Sequence, residues 1–277
     1  MATRADTKET IAEAMRNPLS VFDIKGKSYV VTGATGAIGR TCSLMCAAMG
    51  ANVTIVGGNK ADLDEVANEI RGLKAGKVVA VNKRPKTEAD CKAILDAACD
   101  AHNGVDGLFV ASGYNKAGFI HEMPQSDCED VIDANLRQTW LICREYGRRA
   151  IEQKRGGKVV LMSSVRGRHG NISGYTAYCI SKGGIDGLTH VLATEWAKHK
   201  ITCNAIAPTV FRSKLTAWMY GDDELGQATK ARSLSRIPLG RLGEPEDFVG
   251  ILLYLLSPAS NFTTGQVIYV DGGFTAG

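Results

Sequence analysis

The run Tyr178-Cys179-Ile180-Ser181-Lys182 separates a phenol and an ammonium by four residues. On a helix that spacing puts both on one face. A free tyrosine, with a pKa of about 10, is a poor acid–base catalyst near neutrality. A neighbouring ammonium favours the tyrosinate and moves the phenol towards working pH. Ser163 and Ser164 add hydroxyls at the end of a β-rich run, Ser164 lying fourteen residues before Tyr178. Tyr175 is a rival phenol, but four residues on it meets Cys179 rather than a lysine. Taken singly, Ser163 or Ser164 could equally cap a strand end.

A second group of residues suits phosphate chemistry. Thr32-Gly33-Ala34-Thr35-Gly36-Ala37-Ile38-Gly39 stands between the first β-rich run and the first helical stretch. Placed there, Gly33 permits a tight turn, Gly36 lets backbone approach a pyrophosphate and Gly39 lets helix pack closely on strand. The helix N-terminus offers free N–H groups and the positive end of its dipole. Thr35 and Ile38 fall among the expected cofactor contacts. The second strand of such a fold ends beside the adenosine ribose, where an acid marks NAD and bases mark the extra phosphate of NADP. Here that strand ends Val56-Gly57-Gly58-Asn59-Lys60, with no acid before Asp62, and the third ends Asn82-Lys83-Arg84. Asn59, Lys60 and Arg84 are the expected contacts. Lys83 reads equally well as a surface charge. NADP(H) is favoured, with NAD(H) as the alternative.

These groups need a scaffold that carries them to one edge, and the patterning supplies it. Ser28 to Thr32, Asn52 to Val56, Lys77 to Val81, Gly107 to Ala111, Lys158 to Met162, Ile201 to Ala205 and Gln266 to Val270 read as strands. Several are apolar at successive positions, as strands covered on both faces should be. Helical stretches at 37–49, 60–72, 87–102, 126–153, 176–198 and 245–256 alternate with them. The expected fold is α/β: a single-domain, Rossmann-type doubly wound sheet of about seven parallel strands with helices on both faces. Residues 1–24 read as an N-terminal arm, with a short helix from Thr7 to Met15, and 25–277 as the dinucleotide-binding and catalytic domain. Residues 212–243 exceed what a crossover needs and read as a substrate lid.

Composition narrows the remaining classes. A net charge of +4 with interspersed signs gives no basic surface for nucleic acid. The apolar stretch from Val249 to Leu256 is far too short for a membrane span. The polar N-terminus lacks a signal peptide's apolar core, so a cytoplasmic protein is expected. The eight cysteines contain no CxxC pair. They read as small buried residues in a reducing compartment, and no metal site is expected.

In this order the motifs resemble the short-chain dehydrogenase/reductase family, in its compact branch, from about Lys25 onward. The matching pieces are the glycine loop, Asp133-Ala134-Asn135-Leu136, Ser163-Ser164, Tyr178 with Lys182, Asn204-Ala205-Ile206-Ala207-Pro208 and Val270-Asp271-Gly272-Gly273. The resemblance implies a hydride passing between a nicotinamide and a carbonyl or secondary alcohol. Ser164 would polarise the substrate oxygen and Tyr178 would exchange its proton. Lys182 would bind the nicotinamide ribose and tune Tyr178, and Asn135 would hold a water relaying protons to solvent. Ala111, Gly113, Pro208, Phe211 and Ser213 join the cofactor contacts.

There are departures from the family pattern. Val110-Ala111-Ser112-Gly113 replaces the usual Asn-Asn-Ala-Gly, which removes side-chain support. Arg84 stands for an acid, Thr209 for a glycine and Ser213 for a threonine, and the Ser-to-Tyr spacing is one residue longer than is common. The spacing of Gly33, Gly36 and Gly39 also suits the family's longer branch of nucleotide-sugar epimerases and dehydratases, although the chain leaves little room for their substrate domain.

The substrate pocket should form from the loops after strands four, five and six. That nominates Tyr114, Arg166, His169, Phe211, Trp218, Met219 and Tyr220. Trp218-Met219-Tyr220 suggests an apolar lid and a bulky or ring-bearing ketone. Arg166, Arg168 and His169 instead suit a sugar acid, as in gluconate-type dehydrogenases. A non-catalytic NADP-sensing protein is a further alternative. The resemblance implies a homotetramer or homodimer built on 126–153, 176–198 and 266–270, with Ala177, Ala193 and Ala197 as small contact points.

Overall fold

Strand β1 (Ser28–Thr32) is buried along its whole length, as a strand covered on both faces must be. Its side chains alternate between two cores, Tyr29 and Val31 facing one and Val30 the other. The computed structural model describes residues 15–277. After β1 come α1 (Ala37–Ala48), β2 (Asn52–Val56), α2 (Lys60–Gly72), β3 (Val78–Val81), α3 (Glu88–His102) and β4 (Gly107–Val110). Next are α4 (Gln125–Ile132), a π-turn (Asp133–Arg137), α5 (Gln138–Gln153), β5 (Gly157–Met162), α6 (Thr176–Trp196) and β6 (Ile201–Pro208). The insertion holds a 3-10 stretch (Lys214–Tyr220) and α7 (Glu224–Leu234), before α8 (Val249–Leu256) and β7 (Val267–Val270).

The seven strands are parallel, in the order β3-β2-β1-β4-β5-β6-β7. Helices α1, α2 and α8 cover one face through Cys42, Leu63, Ile70 and Leu252. Helices α3, α5 and α6 cover the other through Ile94, Tyr146, Ile185 and Trp196. This is the expected Rossmann-type doubly wound fold. Strand order reverses between β1 and β4, so the loops leaving their C-terminal ends diverge and open a crevice. No described helix is long and apolar enough to cross a membrane.

Three expectations need correction or limitation. The single helix expected over 126–153 is two helices joined by the π-turn, in which the Gln138 N–H reaches back to the Asp133 carbonyl. Ala177 and Ala193 do not form an outer contact strip, because both are buried inside the chain against its own core; Ala197 is exposed. The helix expected from Thr7 lies outside the described residues except for Met15, which is helical.

Helix termini are closed by the residue types that suit them. Asn59 caps α2 by accepting from the Ala61 and Asp62 N–H groups, and Thr87 caps α3 by accepting from that of Asp90. The C-terminal end of α8 is closed from a distance: the buried Tyr29 hydroxyl donates to the Leu256 carbonyl at 2.9 Å. Without it, one of the orphan carbonyls at that helix end would be buried and unpaired. Tyr29→Phe should therefore lose about 1–3 kcal/mol of unfolding free energy in urea titration. A loss below a few tenths would show that water reaches Leu256.

Candidate active site

Strand β5 and helix α6 set the centre of the site at the C-terminal edge of the sheet. Ser163 and Ser164 follow β5 directly, and the first two turns of α6 carry Tyr178 and Lys182. Ser164 is 6% exposed; its hydroxyl accepts from the Arg166 N–H at 3.1 Å and lies 3.4 Å from the Pro208 carbonyl. The Ser164 hydroxyl pulls the pKa of the Tyr178 phenol down, but burial outweighs this and leaves the pKa raised. The expectation that Lys182 would lower it is not met here, because loss of solvent around the phenol is the larger effect.

Lys182 is 1% exposed, with Nζ donating to the Met162 carbonyl at 2.7 Å and lying 5.6 Å from the centre of the Tyr178 ring. Burial lowers its pKa to about 8, partly opposed by Asp186. Asn135 sits in the π-turn, 1% exposed. Its Oδ1 accepts from the Tyr114 N–H at 2.7 Å, and its Nδ2 donates to the Tyr114 carbonyl at 2.8 Å and to Ser181 Oγ at 2.9 Å. The carboxamide thus ties the loop after β4 to α6. Both its amide hydrogens are occupied.

The glycine loop forms the other half. Gly33 has φ +69°, and a Cβ there would lie 2.6 Å from the Ser112 backbone nitrogen; a Cβ at Gly39 would strike the Gly33 carbonyl. Gly36 caps α1 with no side-chain hydrogen bond, so no capping side chain competes for the first-turn N–H groups. That open helix end fits a dinucleotide pyrophosphate. The loss of support expected from Ser112 is partly made good, since its hydroxyl lies 3.3 Å from that of Thr32.

Comparison with known proteins gives the family. A family profile described as enoyl-(acyl carrier protein) reductase matches residues 33–275. An uncharacterized oxidoreductase of Mycobacterium tuberculosis is 49% identical over 271 residues, 97% of this chain and 99% of its own. The chain belongs to the short-chain dehydrogenase/reductase family. A short-chain type dehydrogenase/reductase of Mycobacterium marinum superposes with a TM-score of 0.87 at 31% identity, covering 94% of this chain and 99% of the other. A candidate 2-deoxy-D-gluconate 3-dehydrogenase of Agrobacterium tumefaciens, solved with bound NADP, gives 0.84 at 30% identity over 93% and 99%.

In this short-chain dehydrogenase/reductase the remaining expected residues divide. Arg84 lies across Gly58, where a Cβ would meet its Nε, and with Asn82, Lys83, Lys86 and Asp90 it lines a hollow beyond β2 and β3. Lys60 is not among that lining; its ammonium meets Asp64 at 2.5 Å on the exposed side of α2. Asn59 is occupied as a helix cap. Thr35 lies beside Gly57, Ile38 packs on the core below α1, and Ala111 bonds the Thr32 carbonyl. Gly113 passes within reach of Lys182 and Asn135. Phe211 is buried edge-on against Phe248, with ring centres 4.8 Å apart, and Ser213 is held in a capping box with Thr216.

Among the substrate candidates, Tyr114 and Trp218 are 41% and 46% exposed. Met219 is buried in a small core with Val165, Ile237, Leu242 and Phe274, and Tyr220 lies under Arg212 and Lys230. His169 stands edge-on to Phe274 with Nε2 buried and unpartnered.

Sequence reasoning missed Lys86, Asp186, Arg236 and Phe274. Only Asp186 had a local signal, lying one turn beyond Lys182; its carboxylate accepts from Ser163 Oγ. Burial raises its pKa, opposed by that bond and by His190 and Lys182.

The depressed pKa of Lys182 has a measurable consequence. The folded chain releases that proton near pH 8, whereas the unfolded lysine holds it to about 10.4. Between those values the unfolded state binds more protons, so stability from this group rises with pH. Without cofactor, the unfolding free energy of wild type minus that of Lys182→Met should increase from pH 8 to pH 10. A flat difference would refute the shift.

Proposed function

We propose that the chain interconverts a ketone and a secondary alcohol, with NADP(H) as hydride partner. The observation that carries this reading is the convergence of Ser164, Tyr178 and Lys182 beside the glycine loop. When bound, the nicotinamide supplies a hydride to the carbonyl carbon, or takes one from the alcohol. In reduction, Tyr178 gives its proton to the carbonyl oxygen while the Ser164 hydroxyl hydrogen-bonds the same oxygen. Ser164 is near enough to the Tyr178 phenol to lower its pKa, so one oxygen placed between them can meet both donors. Lys182 keeps two of its three N–H bonds free of the Met162 carbonyl, available to ribose hydroxyls and to the tyrosinate left after proton transfer. Asn135 holds the loop that faces Lys182, and the second lone pair on its Oδ1 suits a water that restores the proton.

The choice of NADP(H) over NAD(H) rests on the hollow beyond β2 and β3. Arg84 and Lys86 line it, and neither is among the described ion pairs. Asp62, the first acid after β2, sits inside α2 and faces Lys214 at 3.9 Å. The Agrobacterium relative with bound NADP lends support. The phosphate site is thus assigned to Arg84 and Lys86 rather than to Lys60.

The division into an arm (1–24), a catalytic domain (25–277) and a lid (212–243) is part of the reading, as is a reducing, cytoplasmic setting for eight free thiols. Trp140, Ile180 and Val191 are 48%, 53% and 49% exposed on α5 and α6, which supports a homotetramer or homodimer joined there. Trp218 and Tyr114 remain accessible for a bulky or ring-bearing substrate, whereas Met219 is engaged in a small core with Val165 and Phe274 and Tyr220 lies under Arg212 and Lys230.

Two measurements test the chemistry and the cofactor. Tyr178→Phe should lower kcat on any accepted ketone by about 10²–10⁴-fold while NADPH binding, followed by nicotinamide fluorescence, stays unchanged. Equal turnover would remove Tyr178 from the reaction. Arg84→Ala should weaken NADPH by roughly ten- to a hundredfold, the effect of one charge-assisted bond, and leave NADH nearly unaltered. An equal loss for both cofactors would assign Arg84 to the fold instead.

A further inference from the structure

Eight described arginines stand in ion pairs with carboxylates. Arg166 and Arg236 do not, although they share one corner of the molecule. The Arg166 guanidinium carbon lies 5.4 Å and that of Arg236 4.2 Å from the centre of the Phe274 ring. Arg166 is half-buried and makes one side-chain hydrogen bond, to the Gly170 carbonyl. Burial lowers its pKa, and the like charge of Arg236 lowers it further. Two guanidiniums brought over one phenyl ring gain cation–π attraction from its face, but they repel each other, and among the described residues no carboxylate pairs with either.

The same corner holds a second unsatisfied group. His169 stands edge-on to Phe274, with ring centres 6.3 Å apart, and its Nε2 is buried without a partner. A buried polar atom without a partner is costly and calls for a ligand or water. The four side chains come from three separate parts of the chain. Arg166 and His169 follow β5, Arg236 follows α7 in the insertion, and Phe274 lies beyond β7. Arg232, one turn before Arg236, donates to Ser173 Oγ at 3.2 Å and so ties the insertion to the loop before Tyr178.

This corner adjoins the reacting groups. The Arg166 N–H donates to Ser164 Oγ, and the Arg166 charge acts on the phenols of Tyr175 and Tyr178. An anion held there would therefore be part of the molecule whose carbonyl meets Ser164 and Tyr178.

We propose that the substrate carries a carboxylate, gripped jointly by Arg166 and Arg236 with His169 Nε2 as third partner. The inference rests on the ketone–alcohol reading above and names its substrate class: oxo acids, or the hydroxy acids they give on reduction. The carboxylate supplies the charge that the two guanidiniums lack. It also bridges the insertion and the strand end that bears Ser164, so an acid held there has its carbonyl directed towards Ser164 and Tyr178. A planar carboxylate suits guanidinium forks, which can each donate two parallel hydrogen bonds.

The test compares acids with their own neutral esters. Levulinate and methyl levulinate form one pair, and an oxocyclohexane carboxylate and its methyl ester the other. Hydroxyacetone phosphate against hydroxyacetone is the arm for phosphate. With NADPH, wild type should prefer each acid by about tenfold or more in kcat/KM, mainly through KM, as expected of one charge-assisted contact. Arg236→Gln, which leaves the Ser164 surroundings intact, should abolish that preference, and Arg236→Lys should restore part of it. Equal use of acid and ester by wild type, an unchanged ratio in Arg236→Gln, or a preference confined to the phosphate would overturn the assignment. Calorimetric binding of levulinate to the protein–NADP⁺ complex separates this idea from the reaction. Binding lost in Arg236→Gln without any turnover would uphold the carboxylate grip and sink the ketone–alcohol reading. Binding equal to that of the ester would sink the grip alone.

Discussion

An ammonium withdrawn from water sets the terms for the rest of this site. Lys182 is 1% exposed and its nitrogen has one near protein acceptor, the Met162 carbonyl. Such a group is costly to the fold unless oxygens surround it. The neighbouring chain accordingly presents oxygens and empty space rather than packed methyl groups. Gly113 leaves room beside Nζ, the Asn135 carboxamide holds that loop open, and Asp186 supports the cation from the next turn of α6. Ser163, bonded to Asp186, anchors the strand end that places Ser164. A pocket that is incomplete in its hydrogen bonding but fixed in its geometry can be completed by ribose hydroxyls and a reacting oxygen.

What could be read from the sequence follows from how local each feature is. Tyr178 and Lys182 share a helix face, Ser164 ends a strand, and the glycine loop joins one strand to one helix, so short-range spacing was enough. The alternation of apolar runs with helical stretches gave the sheet and its two helical layers. Lys60 illustrates the limit: its position after β2 suits a phosphate contact, but its ammonium meets Asp64 one turn along α2, outside the hollow that Arg84 lines. Lys86 lies past the end of β3, where the direction of the chain was not encoded in periodicity. Ala177 and Ala193 are small enough for an interface, yet both are buried within the chain, Ala193 in the core that α6 shares with the sheet.

The insertion shows why long-range neighbours stayed hidden. Its base is strapped by the last residues of the chain: the Leu239 N–H bonds the Gly272 carbonyl, and Ile237 and Pro238 press on Gly272 and Gly273. Phe274 then reaches Val165 and Met219 in one small core. Segments separated by tens to more than a hundred residues thus meet at one point, and no spacing rule connects them. The outcome is a segment firm at its base and open near Trp218, with Arg236 carried on the firm part.

The π-turn between α4 and α5 has a consequence for how this chain can change over time. One extra residue in a helical turn rotates everything beyond it by roughly 100°. Helix α4 thereby faces α6 and the active centre, while α5 faces α3 and the outer layer. Asn135 sits at the phase change itself, with its carbonyl bonded by the Thr139 hydroxyl. Deleting a single residue here would bring the two faces into phase and swing the carboxamide away from Tyr114. Substitutions on the outer surface of these helices leave that phase alone. The outer surface of 125–153 can therefore change in composition at little cost, while the number of residues between its buried positions, Asn135 and Tyr146 among them, is fixed by the phase.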